Sequence, residues 1–218
     1  MGEVWYAIPS ANLERQNKTL PLWRDRGYKL ALWIDPGQEH YPADIVIDLP
    51  YRGYYVAFNE LCKAIGDRAD IVVTGGDDVD PDPEHTAEQG AAIFRERFPD
   101  LCGVMEPVGD PWHSKVCCIA PWVGKGWIQR AYQGHGPVHP EYLSYCGDVE
   151  LFRVAQRLDR LHLEPGITQL HHHWSRGSES SFWWRKSYHQ VAKQNHRRDQ
   201  ELLTARDAAG FPGSELVP

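Results

Sequence analysis

Four aspartates, Asp77, Asp78, Asp80 and Asp82, fall within six consecutive positions directly after Gly75-Gly76. Carboxylates this close repel one another unless a cation or ligand compensates. A polar turn capping the following helix is the plainer alternative, since Asp and Pro are favoured there. At i, i+2 spacing, Asp78 and Asp80 project to the same side of an extended segment. Mg²⁺ or Mn²⁺ is commonly held by one or two carboxylates together with substrate phosphates. The run His171-His172-His173, before Trp174, offers a second ligand type. If extended, it sends His171 and His173 one way and His172 the other. Manganese accepts imidazole and carboxylate together, so Asp80 with one of these histidines would make a mixed site. A surface tract of imidazoles is the alternative.

A third segment, Cys146-Gly147-Asp148-Val149-Glu150, opens a helical pattern. A carboxylate there caps the backbone and is favoured by the helix dipole. Asp148 is also of the right type to be a general base toward an acceptor hydroxyl. Towards the C-terminus, Trp183-Trp184-Arg185-Lys186 and Lys193, His196, Arg197 and Arg198 interleave rings and cations. Nucleic-acid surfaces do this, and so does a basic helix resting on an acidic body.

The elements that must position these groups are legible through the first half. Apolar runs over 4–8, 29–34, 43–48 and 70–74 read as strands, each closed by turn residues. The spacing predicts a helix after Asn12, broken or re-aimed at Pro21. Others are predicted over 54–65, ending at Gly66, and over 85–97, with a strand around 101–105. Alternating strands and helices with short connections predict an α/β fold, a mostly parallel sheet flanked by helices. Ligands in such sheets sit beyond the carboxyl ends of the strands, where Ile8-Pro9-Ser10, Asp35-Pro36 and 75–82 lie. The second half is less regular. Glycines at 124, 126, 134 and 136 suggest loops, 148–160 a helix, 166–170 a short strand carrying the histidines, and 187–209 a polar helix.

Composition narrows the classes. The chain has 218 residues and a net charge of −7, with a mean hydropathy of −0.54. No apolar run approaches the ~20 residues of a membrane span, and no signal peptide is visible. Five cysteines without a CxxC argue against a disulfide framework or a structural zinc site and for a reducing cytoplasm. From Asp35 to Asp110 there are 17 acidic against 5 basic residues, and from Arg176 to Arg206 7 basic against 3 acidic. That leaves room for a local polyanion contact but not for a generally basic DNA binder. No repeat or linker divides the chain, so 1–218 is expected to be a single domain.

Taken in order, these segments resemble the GT-A fold glycosyltransferases, in particular small family-two-like enzymes of bacteriophage. The resemblance spans about residues 4 to 175. It implies that Asp78-Val79-Asp80 is the Asp-x-Asp motif that binds Mn²⁺ or Mg²⁺ and the diphosphate of a nucleotide sugar, with a UDP-sugar as the expected donor. The surplus of aspartates leaves open whether Asp77 and Asp78 or Asp78 and Asp80 form the pair. The resemblance further implies a late metal-binding histidine within 171–173, His173 favoured and His171 next, and Asp148 as base if the reaction inverts configuration. Pro9, Ser10, Asp35, Gly53 and Asn59 correspond to positions lining the nucleotide pocket, so residues 1–110 would bind the donor and 111–218 would complete the metal and acceptor sites. DNA carrying 5-hydroxymethylpyrimidines is the acceptor implied for such phage enzymes, with Trp183, Trp184, Arg185, Lys186, Arg197 and Arg198 as its contacts. A glycan or small-molecule acceptor, a nucleotidyltransferase and a non-catalytic nucleotide-sugar-binding module are the alternatives. A nucleotidyltransferase would require a Gly-rich phosphate loop near the N-terminus, and residues 8–18 have none.

Overall fold

The structure, a computed structural model, describes residues 2–111, 116–172 and 188–217. Its centre is a seven-stranded sheet in the order β3-β2-β1-β4-β7-β6-β8. The strands are β1 (Glu3–Pro9), β2 (Lys29–Ile34), β3 (Ile45–Asp48), β4 (Ala69–Val73), β6 (Val104–Pro107), β7 (Trp122–Gly124) and β8 (Leu161–Glu164). β1 pairs parallel with both β2 and β4, β2 with β3, and β6 with β8. Only β7 runs against its neighbours β4 and β6. A separate two-stranded ribbon joins β5 (Val79–Asp80) to β9 (Leu170–His171).

β1 is apolar throughout because the sheet is covered on both sides. Its Trp5 and Ala7 join one core and its Val4, Tyr6 and Ile8 the other, as the two-residue period of a strand requires. On the first face lie α2 (Tyr54–Ile65), α4 (Lys125–Arg130) and α5 (Gly147–Arg157), through Phe58, Leu61, Trp127, Leu151 and Val154. On the second lie α1 (Leu13–Asp25) and α3 (Ala87–Arg97), through Leu20, Trp23, Ala91 and Phe94. The last helix, α6 (Tyr188–Ala208), rests Leu202 and Leu203 against the first core.

The expected α/β sheet is present, with differences that have local causes. The helix capped by Asn12 continues through Pro21 to Asp25. The carbonyl that Pro21 cannot bond belongs to Asn17, which is exposed to water, while Leu20 and Trp23 are fully buried and hold the turn in place. The glycine-rich region expected as loops contains β7 and α4. Gly90 on α3 leaves space for the Trp122 ring, and Gly124 for the Leu101 carbonyl, so these glycines serve close approach rather than chain reversal. β6 begins three residues later than the predicted strand, and β8 follows α5 directly where no strand is predicted.

Candidate functional site

β4 delivers the chain to the acidic segment. At its end the Thr74 hydroxyl donates to the Ala7 carbonyl, 2.8 Å away. The hydroxyl of Tyr54 donates to the Gly75 carbonyl (2.7 Å) and that of Tyr6 to the Gly76 carbonyl (2.7 Å). Burial pushes both phenols above their ordinary range, so they stay protonated and serve as donors. A side chain at Gly75 would crowd the Tyr6 hydroxyl and Val79. Val79 is buried, and its carbonyl accepts from the Trp23 indole at 2.8 Å, tying β5 to α1.

The four aspartates do different things. Asp77 turns back toward α1: Ser10 Oγ donates to its Oδ2 (2.6 Å) and Arg15 Nη1 to its Oδ1 (3.3 Å). Burial pushes its carboxyl up, partly offset by Ser10 and Arg15. Asp82, also buried, accepts the backbone N–H groups of Glu84, His85 and Thr168 at 2.6–2.7 Å. Burial raises its pKa, but those bonds and the His85 ring outweigh it and hold the carboxyl below the usual range. Asp78 and Asp80 face the imidazoles of His171 and His172. His171 Nε2 lies 3.5 Å from Asp78 Oδ1, and His172 Nε2 lies 2.7 Å from Asp80 Oδ2. The backbone enforces this, since Val79 pairs with His171 in the ribbon and the His172 N–H donates to the Asp78 carbonyl at 2.8 Å. Arg15 reaches the same tip, with Nη1 3.6 Å from Asp78 Oδ2. Burial raises the Asp78 carboxyl, but His171 and Arg15 outweigh it and leave it below the usual range.

Asp148 stands in the first turn of α5. Tyr55 of α2 donates its hydroxyl to Asp148 Oδ1 (3.1 Å) and accepts the Asp148 N–H (3.0 Å). Burial pushes the Asp148 carboxyl up, offset only in part by Tyr55, the Val149 N–H and the Cys117 thiol. Glu150, two residues on, is fully buried and spent on structure. It takes a bidentate pair from Arg206 of α6 (2.7 and 2.8 Å) and the Tyr142 hydroxyl (2.8 Å).

One cavity of about 370 Å³ is lined by Gly75, Gly76, Asp78, His171 and Asp148, with Tyr54, Tyr55 and Cys118 among its walls. Several residues assigned to the nucleotide pocket are not in its lining. Pro9 ends β1 in register with Trp33, and Ser10 is occupied by Asp77. Asp35 accepts the Tyr51 N–H at 3.0 Å. Gly53 precedes α2 at φ +141°, where a β-carbon would run into the Leu143 carbonyl. Asn59 faces inward on α2 beside Tyr55 and Cys62, and both ends of its amide bind the Val138 backbone (2.9 and 3.3 Å). The imidazole described beside Asp80 is that of His172. His173 and Trp183, Trp184, Arg185 and Lys186 lie outside the described residues. Arg197 is exposed and paired with Glu201 (2.9 Å), while Arg198 bonds the Glu141 carbonyl (2.7 Å) and Asp199 (3.0 Å). Sequence reasoning missed Tyr55, Asp199 and Arg206. Their partners are so distant along the chain that no local pattern could have disclosed them.

Carboxylate and imidazole are both donor types that Mn²⁺ accepts. They stand as two acid–imidazole pairs, and among the described residues no three His, Cys, Asp or Glu side chains gather into a closed cage.

By sequence, the chain matches no protein-family profile and no curated protein. By structure it is similar to the catalytic domain of Drosophila beta1,4-galactosyltransferase 7 solved with xylobiose. That match has a TM-score of 0.52 at 12% identity and covers 82% of this chain and 74% of the other. A mutant of the same fly enzyme, solved with manganese, UDP-Gal and xylobiose, matches with a TM-score of 0.51 at 13% identity over 83% and 76%. The mostly parallel sheet, its covering helices and this likeness together assign the chain the α/β GT-A fold of glycosyltransferase catalytic domains.

Proposed function

We propose that the chain is a metal-dependent glycosyltransferase moving a sugar, expected to be a hexose, from a UDP-sugar to a hydroxyl acceptor. The carrying observation is that Asp78, His171 and the half-buried Asp148 line one and the same cavity. Asp78, Asp80 and the imidazoles of His171 and His172 would hold a divalent cation, which neutralises the charge that develops on the departing diphosphate. Arg15, already at this tip, supplies further positive charge. In an inverting reaction Asp148 takes the acceptor proton as the new bond to the anomeric carbon forms and the bond to the β-phosphate oxygen breaks. Its raised pKa makes it a stronger base, and the Tyr55 hydroxyl fixes its direction. Residues 1–110 serve the donor in this reading and 111–218 complete the metal and acceptor sites. The five cysteines are all free thiols, which suits a cytoplasmic setting. No described helix is long and apolar enough to cross a membrane.

For the acceptor, a sugar hydroxyl is favoured, in line with the xylobiose bound by the fly enzyme. The bacteriophage-type reading, with hydroxymethylpyrimidine DNA as acceptor, rests on the interleaved rings and cations. Arg197 and Arg198, two of its cations, already pair within the chain. The test is mass spectrometry of products after incubation with Mn²⁺, a panel of UDP-sugars and either a xyloside or hydroxymethylated DNA. Transfer to the xyloside, abolished by Asp80→Ala, is expected. Transfer to DNA alone would reinstate the second reading, and no transfer or donor hydrolysis with any sugar nucleotide would refute the proposal.

A further inference from the structure

We infer that Asp199, on α6, is a positioning residue for Asp148, gripping the loop that leads into α5; this rests on the reading of Asp148 as the base. Asp199 is wholly buried. Its carboxylate accepts three successive backbone N–H groups, from Leu143 (3.2 Å), Ser144 (2.8 Å) and Tyr145 (2.9 Å). Adjacent N–H groups converging on one anion form a nest, which fixes the chain direction over the whole tripeptide. What that direction fixes is the approach to Asp148. Immediately after the tripeptide, Cys146 takes a left-handed conformation (φ +64°) that a β-carbon disfavours, with no side-chain cap on the helix it starts. A strained, uncapped helix start keeps its geometry only if its flanks are held. Asp199 holds one flank, and the Arg206–Glu150 pair holds the other, one half-turn beyond Asp148. The grip extends across the site, because the Leu143 carbonyl also accepts the Tyr55 N–H at 2.9 Å, and Tyr55 carries the hydroxyl bonded to Asp148. One turn earlier on α6, the His196 and Tyr145 rings meet edge to face with centroids 5.0 Å apart, so the loop is seated on the helix by a second contact.

A residue acting through loop placement should alter turnover more than donor binding, since misplacing a reacting group by about 1 Å can cost on the order of 10²-fold. The experiment compares the full chain with Asp199→Asn, which keeps the volume and one acceptor oxygen, and with Asp148→Asn. Asp207→Asn is the control, breaking an exposed α5–α6 pair with Arg153 (2.6 Å) that does not touch the loop. Expected for Asp199→Asn is a kcat lower by about 10- to 100-fold, with the donor KM within about twofold of the parent. The acid limb of kcat should also move to lower pH, because water admitted around Asp148 lets its carboxyl ionise more readily. The titratable groups electrostatically coupled to Asp148 are Tyr54 and Tyr55 from α2, Cys117 and Cys118, and Cys146. A lowered Tm with unchanged kcat and pH profile would make Asp199 merely structural and overturn the inference. If the variant does not fold, amide exchange in the unaltered chain decides. Slow exchange at 143–145, matching the centre of α5, supports the grip, and rapid exchange overturns it. If Asp148→Asn retains full turnover, the base assignment itself falls, an outcome distinct from failure at Asp199.

Discussion

Asp77 and Asp78 are neighbours with opposite fates. Asp77 answers to Ser10 and Arg15 and anchors the segment to α1, whereas Asp78 shares the cavity with His171. Asp78 and Asp80 are the two aspartates that meet the imidazoles of His171 and His172, which favours them as the pair in the proposed reading. At Asp148 the environment sets a pH dependence. Its pKa is raised, mainly by burial, so as a base it is ionised only above the ordinary carboxylate range. Turnover should therefore fall on acidification at a higher pH than an exposed aspartate would give, as a kcat–pH profile will show. Asp148→Asn should leave donor binding intact and lower kcat by roughly 10²–10⁴-fold. A flat profile in the parent, or a variant with undiminished kcat, would remove the base.

At the scale of elements, the ribbon of β5 and β9 is the device that makes the site, and it has only two residues in each strand. So short a ribbon cannot persist by itself; Trp23 holds β5 from one side and Asp82 holds the approach to β9 through Thr168. Asp82→Ala would leave the N–H groups of Glu84, His85 and Thr168 without this acceptor, at a cost of about 1–3 kcal/mol. The histidines should lose their register as well. Thermal unfolding with and without Mn²⁺ checks both parts: the variant should melt lower and gain less from the metal. An unchanged metal-dependent shift would mean that Asp82 does not set the ribbon.

For the molecule as a whole, binding at the junction of ribbon and sheet should couple to global stability. A UDP-sugar with Mn²⁺ at about a hundred times its dissociation constant should add about 2.7 kcal/mol. That corresponds to a rise in Tm of roughly 5–10 °C for a domain of this size. UDP-sugar without metal should give much less, and equal shifts with and without metal would argue against the Asp78–Asp80 site. Much of this architecture was legible in the sequence. The apolar runs of β1, β2 and β4 are bounded by turn residues, and Gly66 marks the end of α2. Residue type allowed the acidic segment to meet the histidines, with a surface tract of imidazoles as the alternative. What stayed hidden depends on long-range pairing. β7 is three residues long and shows no alternation, Asn59 looks like any polar helix residue until Val138 is placed beside it, and Tyr55 meets Asp148 across 93 positions.

The reversed strand β7 also bears on the order in which the chain can fold during synthesis. β4 has β1 along one edge, but its other edge is completed only by residues 122–124, and β6 is joined to β4 solely through that same strand. A nascent chain that has emerged only as far as α3 therefore presents Ile71, Val72 and Val73 on an open edge, a template for pairing with other chains. Ribosome-bound fragments ending before Trp122 should consequently need chaperones, and the first four strands should reach lasting order only after the antiparallel strand has closed that edge.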